Sequence, residues 1–170
     1  MIPRRILALD PGTSETGFVV LEHGRPVQHG ILENSAVRDN LRIGVYPVDL
    51  LAVEMIASYG MPVGHEVFET CVWIGRFLEA AAHTRSVLVY RRDVKLTLCT
   101  SPRAKDPHVW QALVDLYGGE GAVGKKADPG PLYGVKSHSR AALGVAVTAL
   151  AQIAGESSLT RGLLLGPVGV

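Results

Sequence analysis

The stretch that decides the fold is Arg5-Ile6-Leu7-Ala8-Leu9-Asp10-Pro11-Gly12-Thr13-Ser14-Glu15-Thr16-Gly17. Ile6 to Leu9 is a short apolar run bounded by turn formers, which predicts a buried strand over residues 6–10. The run ends abruptly on a carboxylate, and Asp10 has two readings. A carboxylate where a strand leaves its sheet is a natural metal ligand or phosphate-site group. Asp-Pro followed by Gly is equally turn chemistry, in which the side chain accepts backbone N–H bonds.

Outward from there, residues 16–22 predict a second strand, reached through a tight glycine-bearing turn. A turn at 23–26 leads to a third strand at 27–33, so the first three strands form an antiparallel meander. Residues 34–47 hold a short helix with Asn34 and Ser35 as caps. Residues 49–54 repeat the opening grammar, an apolar run ending on Glu54, and predict a buried fourth strand parallel to the first. A glycine-punctuated loop carries Tyr59 and Met61. From 65 to 83, Val67, Phe68, Cys71, Val72, Ile74, Phe77 and Leu78 recur at helical spacing. That apolar stripe is wide enough to serve both a sheet and a partner subunit.

Residues 86–90 form an all-apolar fifth strand, followed by the basic patch Arg91-Arg92-Asp93-Val94-Lys95. A helix over 105–117 has Asp106 as its N-cap and Val109, Trp110, Leu113, Val114 and Leu116 inward. Residues 118–134 read as a glycine- and proline-rich loop with Lys125 and Lys126 at its tip. A last helix over 137–155 turns Leu143, Val147, Leu150 and Ala154 to the core. The tail from Glu156 has no clear period and reads as frayed or docked on a neighbour. The pattern is α/β with a mixed five-stranded sheet flanked by helices.

Composition sets the bounds. A chain of 170 residues suits a single domain spanning 1–170. With 47% hydrophobic and 19% charged residues it is globular, not disordered. A net charge of +1 does not advertise nucleic acid, though a local basic stripe suffices for binding. Cys71 and Cys99 lack metal-ligand spacing and read as reduced core residues of a cytoplasmic protein. The N-terminus shows no signal-peptide pattern, and no apolar run is long enough to span a membrane.

If the first and fourth strands are neighbours, Asp10 and Glu54 meet at one sheet edge. Two carboxylates there repel unless a cation or a shared proton holds them. Mg²⁺ prefers oxygen ligands and keeps several waters. Two such ions about 4 Å apart activate a water and stabilise the leaving oxygen of a phosphodiester. The plainer reading of Glu54 is a solvated strand end. His138 opens the last helix, either as a cap or surface residue or as a third ligand and proton acceptor. Lys136 and Arg140 beside it are placed to meet phosphates.

Several of these phrases together resemble the RuvC-type Holliday-junction resolvases of the RNase H-like nuclease superfamily. The residues are Leu7-Ala8-Leu9-Asp10-Pro11-Gly12-Thr13 with Thr16-Gly17, Ala52-Val53-Glu54, Asp93-Val94-Lys95, Lys105-Asp106 and His138-Ser139-Arg140-Ala141-Ala142-Leu143. Gly64-His65-Glu66-Val67-Phe68-Glu69-Thr70 and Pro129-Gly130-Pro131-Leu132-Tyr133-Gly134 look more like the phage-encoded branch. The resemblance spans roughly residues 5–150. It implies a homodimer that resolves four-way DNA junctions by paired nicks, using Mg²⁺ (Mn²⁺ substituting), two ions per site. It also implies a setting in recombination and repair, in the cytoplasm of a phage-infected bacterium. Asp10 and Glu54 match the first two acidic ligands, and His138 matches the third position. The fourth falls on Ala141, which cannot ligate. The implied DNA contacts are Thr13, Ser14, Arg92, Lys95, Lys105, Lys125, Lys126, Lys136 and Arg140. Tyr59 and Met61 are the candidates for a wedge at the junction centre, with loop packing as the alternative.

Two rivals stay open. One is a protein that holds junctions or forks and cuts weakly or not at all, in line with Ala141. The other is an actin- or Hsp70-like ATPase fragment, because Leu9-Asp10-Pro11-Gly12-Thr13-Ser14 also resembles the first phosphate motif of those proteins.

Overall fold

The structure, a computed structural model, describes residues 1–155. The tail from Glu156 lies outside the described residues. In chain order the elements are β1 (Arg5–Pro11), β2 (Glu15–Glu22), β3 (Arg25–Glu33), α1 (Asn34–Arg42), β4 (Leu50–Met55), α2 (His65–Ala80) and β5 (Ser86–Tyr90). Then come α3 (Arg91–Cys99), α4 (Asp106–Leu116), a small ribbon of β6 (Gly124–Lys125) and β7 (Asp128–Pro129), and α5 (His138–Ala154). The main sheet has the order β3-β2-β1-β4-β5. β1, β2 and β3 run antiparallel, whereas β4 is parallel to β1 and β5 to β4, so the expected mixed sheet holds. The β2–β3 turn is His23-Gly24, both at positive φ (49° and 78°), the backbone hand that suits a two-residue hairpin.

The two-residue period of a strand divides the core. Ile6 and Ala8 of β1 join Leu50, Ala52 and Val89 beneath α3, α4 and α5. Leu7 and Leu9 join Leu51 and Val53 beneath α1 and α2. Each fully buried leucine contributes about 1.5–3 kcal/mol by leaving water. The same parity aims the site. Leu9 pairs with Val53, and the next residues are Asp10 and Glu54. Both keep the parity of Ala8 and Ala52, toward α5.

α5 packs on β1, β2 and β4 and is covered on its far side by α3 and α4. Every residue from Ala142 to Ala151 is buried, so the middle of the helix has no solvent face, and Ala154 is only half-buried. Small residues allow this: a Cβ on Gly144 would lie 3.0 Å from Val94 Cγ1 of α3.

Several sequence expectations change. The basic patch at 91–95 is the start of a nine-residue helix, α3, that follows β5 without a loop. Asp106 does not cap α4. Lys105 holds that position, and its backbone N–H donates to His108 Nδ1 at 3.1 Å. Asn34 and Ser35 do not cap α1 either: Glu33 stands at the cap without a side-chain bond. The 118–134 loop contains a 3₁₀ turn (Gly119–Ala122) and the β6–β7 ribbon. β5 is an edge strand in which only Val89 is buried. Cys71 and Cys99 are free and half-buried on α2 and α3, not deep in the core. On α2, Ile74 and Phe77 face the sheet while Phe68 and Val72 stay 61% and 53% exposed. Among the described residues, no helix is long and apolar enough to cross a membrane.

Candidate active site

Asp10 and Glu54 leave neighbouring strands on the same face, with side chains 16% and 12% exposed. His138, the first residue of α5, places Nδ1 at 2.8 Å from Asp10 Oδ2. The three face one cleft of about 710 Å³, whose lining also includes Arg91, Asp106, Trp110, Arg140 and Ala141.

This convergence is held from three sides. A Cβ on Gly17 would overlap the backbone and Cβ of His138, so only glycine lets the start of α5 rest on β2. Ser137, just before α5, sits at φ 48°, ψ −132°, a conformation that L residues seldom adopt. Asn34 is buried and serves the site from the opposite face of the sheet. Its Oδ1 accepts from Thr16 Oγ1 at 2.6 Å, and its Nδ2 donates to the Gly12 carbonyl at 3.0 Å. Gly12 N–H closes the turn on the Glu15 carbonyl at 2.9 Å. The turn after Asp10 is therefore a clamped hairpin.

Burial, and after it the adjacent Asp10 carboxylate, pushes Glu54 from 4.5 up to about 8. Burial and the neighbouring carboxylate thus favour the neutral form of Glu54 unless a cation is present. The Arg91 guanidinium opposes the shift, with Nε 3.9 Å from Glu54 Oε1 and its other end ion-paired to Asp106. Among the described residues, no group of three His, Cys, Asp or Glu side chains is arranged to hold a metal ion. His138 is engaged by Asp10 instead of standing free. Mg²⁺ does not need such a cage: one or two carboxylates with waters and substrate phosphates suffice. Two adjacent hard oxygen donors, short of one positive charge, fit that kind of ion.

The sequence-nominated basic residues divide. Arg140 lines the cleft and stacks over Trp110, its guanidinium carbon 4.1 Å from the ring centroid. Tyr59, Arg92 and Lys95 share a second pocket of about 360 Å³ with Arg91 and Pro102. Thr13, Ser14, Met61, Lys105, Lys125, Lys126 and Lys136 line neither cavity. Lys125 and Lys126 are exposed on the β6–β7 ribbon. Residues that the sequence did not nominate also stand at the site. Arg91 was one charge in a basic run, Asp106 had the look of a cap, Trp110 of a core residue and Asn34 of a cap. Arg91, adjacent to nominated Arg92, and Asp106, within the phrase Lys105-Asp106, carried a signal, and Trp110 and Asn34 did not.

No protein-family model and no curated protein matches the sequence. Shape does match. The structure of Thermus thermophilus RuvC aligns with a TM-score of 0.64 at 19% identity, over 89% of this chain and 96% of that one. The fold is RuvC-like. T. thermophilus RuvC in complex with a Holliday junction substrate aligns equally, with a TM-score of 0.64 and 19% identity. The RuvC-like sheet is the mixed RNase H-like arrangement, with Asp10 and Glu54 at the ends of its two central parallel strands.

Proposed function

We propose that this protein is a metal-dependent, structure-selective DNA endonuclease that resolves four-way junctions by paired nicks as a homodimer. The observation that carries the reading is the Asp10–Glu54 pair on a RuvC-like sheet, packed so that it needs a proton or a cation. Asp10 and Glu54 would hold Mg²⁺, with Mn²⁺ able to replace it and two ions per site as the expected complement. The ion supplies a Lewis acid that activates water and stabilises the leaving oxygen. His138 holds the Asp10 carboxylate in place and, when neutral, can take a proton.

Arg140 and the pocket of Tyr59, Arg92 and Lys95 would receive phosphates, with the remaining lysines as outlying contacts. The exposed Phe68 and Val72 of α2 offer the apolar surface for a second copy. The phage-like phrases at 64–70 and 129–134 favour the phage-encoded branch. Thr13 and Ser14 stand outside the cleft, so the ATPase reading is not carried further.

One observation favours a second reading. Ala141 lines the cleft with a methyl group, which suits a protein that binds junctions and cuts them weakly or not at all. A four-way junction labelled on each strand separates the two. Paired symmetric nicks with Mg²⁺, and a dimer by light scattering, support the resolvase. Tight binding without nicks in either Mg²⁺ or Mn²⁺ overturns it in favour of the binding protein. Cleavage of forks or linear duplex in preference to the junction would reassign the substrate.

A further inference from the structure

The two cavities share one lining side chain, Arg91. Arg91 lines the carboxylate cleft and also the pocket of Tyr59, Arg92 and Lys95. Its guanidinium carries five N–H donors in a rigid fork. Nη2 is taken by Asp106. Nε stands 3.9 Å from Glu54 Oε1, an ion-pair distance too long for a hydrogen bond. Nη1 is buried and has no hydrogen-bond partner. A buried cationic donor without a partner is costly, and a site that keeps one is short of an anion.

The neighbouring carboxylates do not fill that need. Asp10 is bonded to His138, and Asp106 already holds Nη2 from a side chain that is 78% exposed. The one donor left without a partner is Nη1, and what it calls for is an anionic oxygen acceptor from outside the chain. A backbone phosphodiester offers a charged oxygen to Nη1 and is drawn to a pocket that already holds Arg92 and Lys95. Resting on the reading of the protein as a junction nuclease, we propose that Arg91 is a ligand for a DNA backbone phosphate beside the cut, and that Asp106 is the residue that positions it.

The alternative is a purely structural ion pair that ties α3 to α4. Junctions carrying single neutral methylphosphonates near the nick distinguish the two, with binding read by anisotropy without divalent ion. With the wild-type protein, one substituted position should weaken binding about tenfold or more, as expected for one lost charged hydrogen bond. In Arg91→Gln that same substitution should cost less than about twofold, because the contact is already gone. Arg91→Lys keeps the charge without the fork, and Asp106→Asn keeps the arginine without its holder. Both should show a reduced penalty at the same position.

A structural pair would shift the melting temperature and leave every phosphate penalty at its wild-type size. Unchanged penalties in Arg91→Gln overturn the proposal, as do unchanged penalties in Arg91→Lys and Asp106→Asn if Arg91→Gln fails to fold. Failure of the parent reading looks different: wild-type protein would bind the junction, with its phosphate penalties intact, yet make no nicks in Mg²⁺ or Mn²⁺, whereas no junction binding at all overturns both.

Discussion

β4 feeds two regions that are built in opposite ways. On one side of its end lies the carboxylate cleft, fixed by Gly17 against His138, by Asn34 under the Asp10 turn and by a constrained Ser137. On the other lies the loop of residues 56–64, where Tyr59 and Met61 are 59% and 72% exposed. A single turn bond, Met61 N–H to the Ser58 carbonyl at 2.9 Å, and positive φ at Tyr59 and Gly60 shape its tip. Groups that hold a small ion tolerate little displacement, so packing determines them several times over. Groups proposed to meet a long, deformable ligand would gain from adjusting to it, and this loop is largely exposed.

The strongest way to break the contrast is to empty the cleft chemically. If the proposed reading holds, Asp10→Asn removes a metal-ligating carboxylate without touching the proposed phosphate contacts. Nicking should fall by roughly 10³-fold or more, the equivalent of several kcal/mol of transition-state stabilisation. Junction affinity should stay within about twofold, since in the proposed site the lost group would face the ion and not the backbone. A normal nicking rate in Asp10→Asn would remove the metal-site assignment. Gly17→Ala attacks the same cleft through packing. The added methyl must displace the backbone of His138. A shift near 1 Å at reacting groups costs about 10²-fold in rate, and the overpacking itself about 1–3 kcal/mol of stability. Single-turnover nicking and thermal melting check both. Unchanged activity would mean that α5 gives way there at no cost.

The charge of the cleft makes a third test. The folded pKa of Glu54, about 8, lies above its ordinary 4.5, so the native state keeps a proton that the unfolded chain has lost. Stability from this group is fully present below about pH 4.5, declines as the pH rises toward 8, and is level beyond. Glu54→Gln should therefore flatten this window and raise the melting temperature at pH 8. The gain is at most a few kcal/mol, at about 2–4 °C per kcal/mol for a chain of this size. Mg²⁺ should act in the opposite sense, stabilising the wild-type protein more at pH 8 than at pH 5, because its binding must expel that proton. A melting profile with the same pH slope in Glu54→Gln and wild type would place the proton elsewhere.

Sequence pattern reached the sheet and its two carboxylates because both follow from local rules. An apolar run ending on an acid, repeated once, implies two buried strands, and strand parity then sets the side on which Asp10 and Glu54 emerge. What escaped it was chosen by tertiary contact. Val94 and Leu98 are too few apolar positions, set among too many charges, to announce α3. Asn34 has the composition of a cap, yet its amide reaches the Gly12 carbonyl at 3.0 Å, far along the chain. Asp106 likewise resembles a cap until Arg91 is seen beside it. Gly17 stands inside the predicted second strand, and only the arrival of α5 shows why a side chain is excluded there.

The smallest expected effect concerns Ser137. Its φ of 48° with ψ of −132° belongs to a region that glycine occupies with little strain. Holding another residue there costs of order 1–3 kcal/mol. Ser137→Gly should release that strain, offset in part by the greater freedom of glycine in the unfolded chain, worth about 0.4–1 kcal/mol. The net expectation is a gain near 1 kcal/mol, or about 2–4 °C in melting temperature. If the constraint serves to fix His138 against Asp10, the same variant should cut more slowly even though it is more stable. A rise in stability with unchanged nicking would make Ser137 a mere fault in the backbone. A fall in melting temperature would show that the contacts around Ser137 are worth more than its strain, and that the cleft is held even more firmly than its backbone geometry implies.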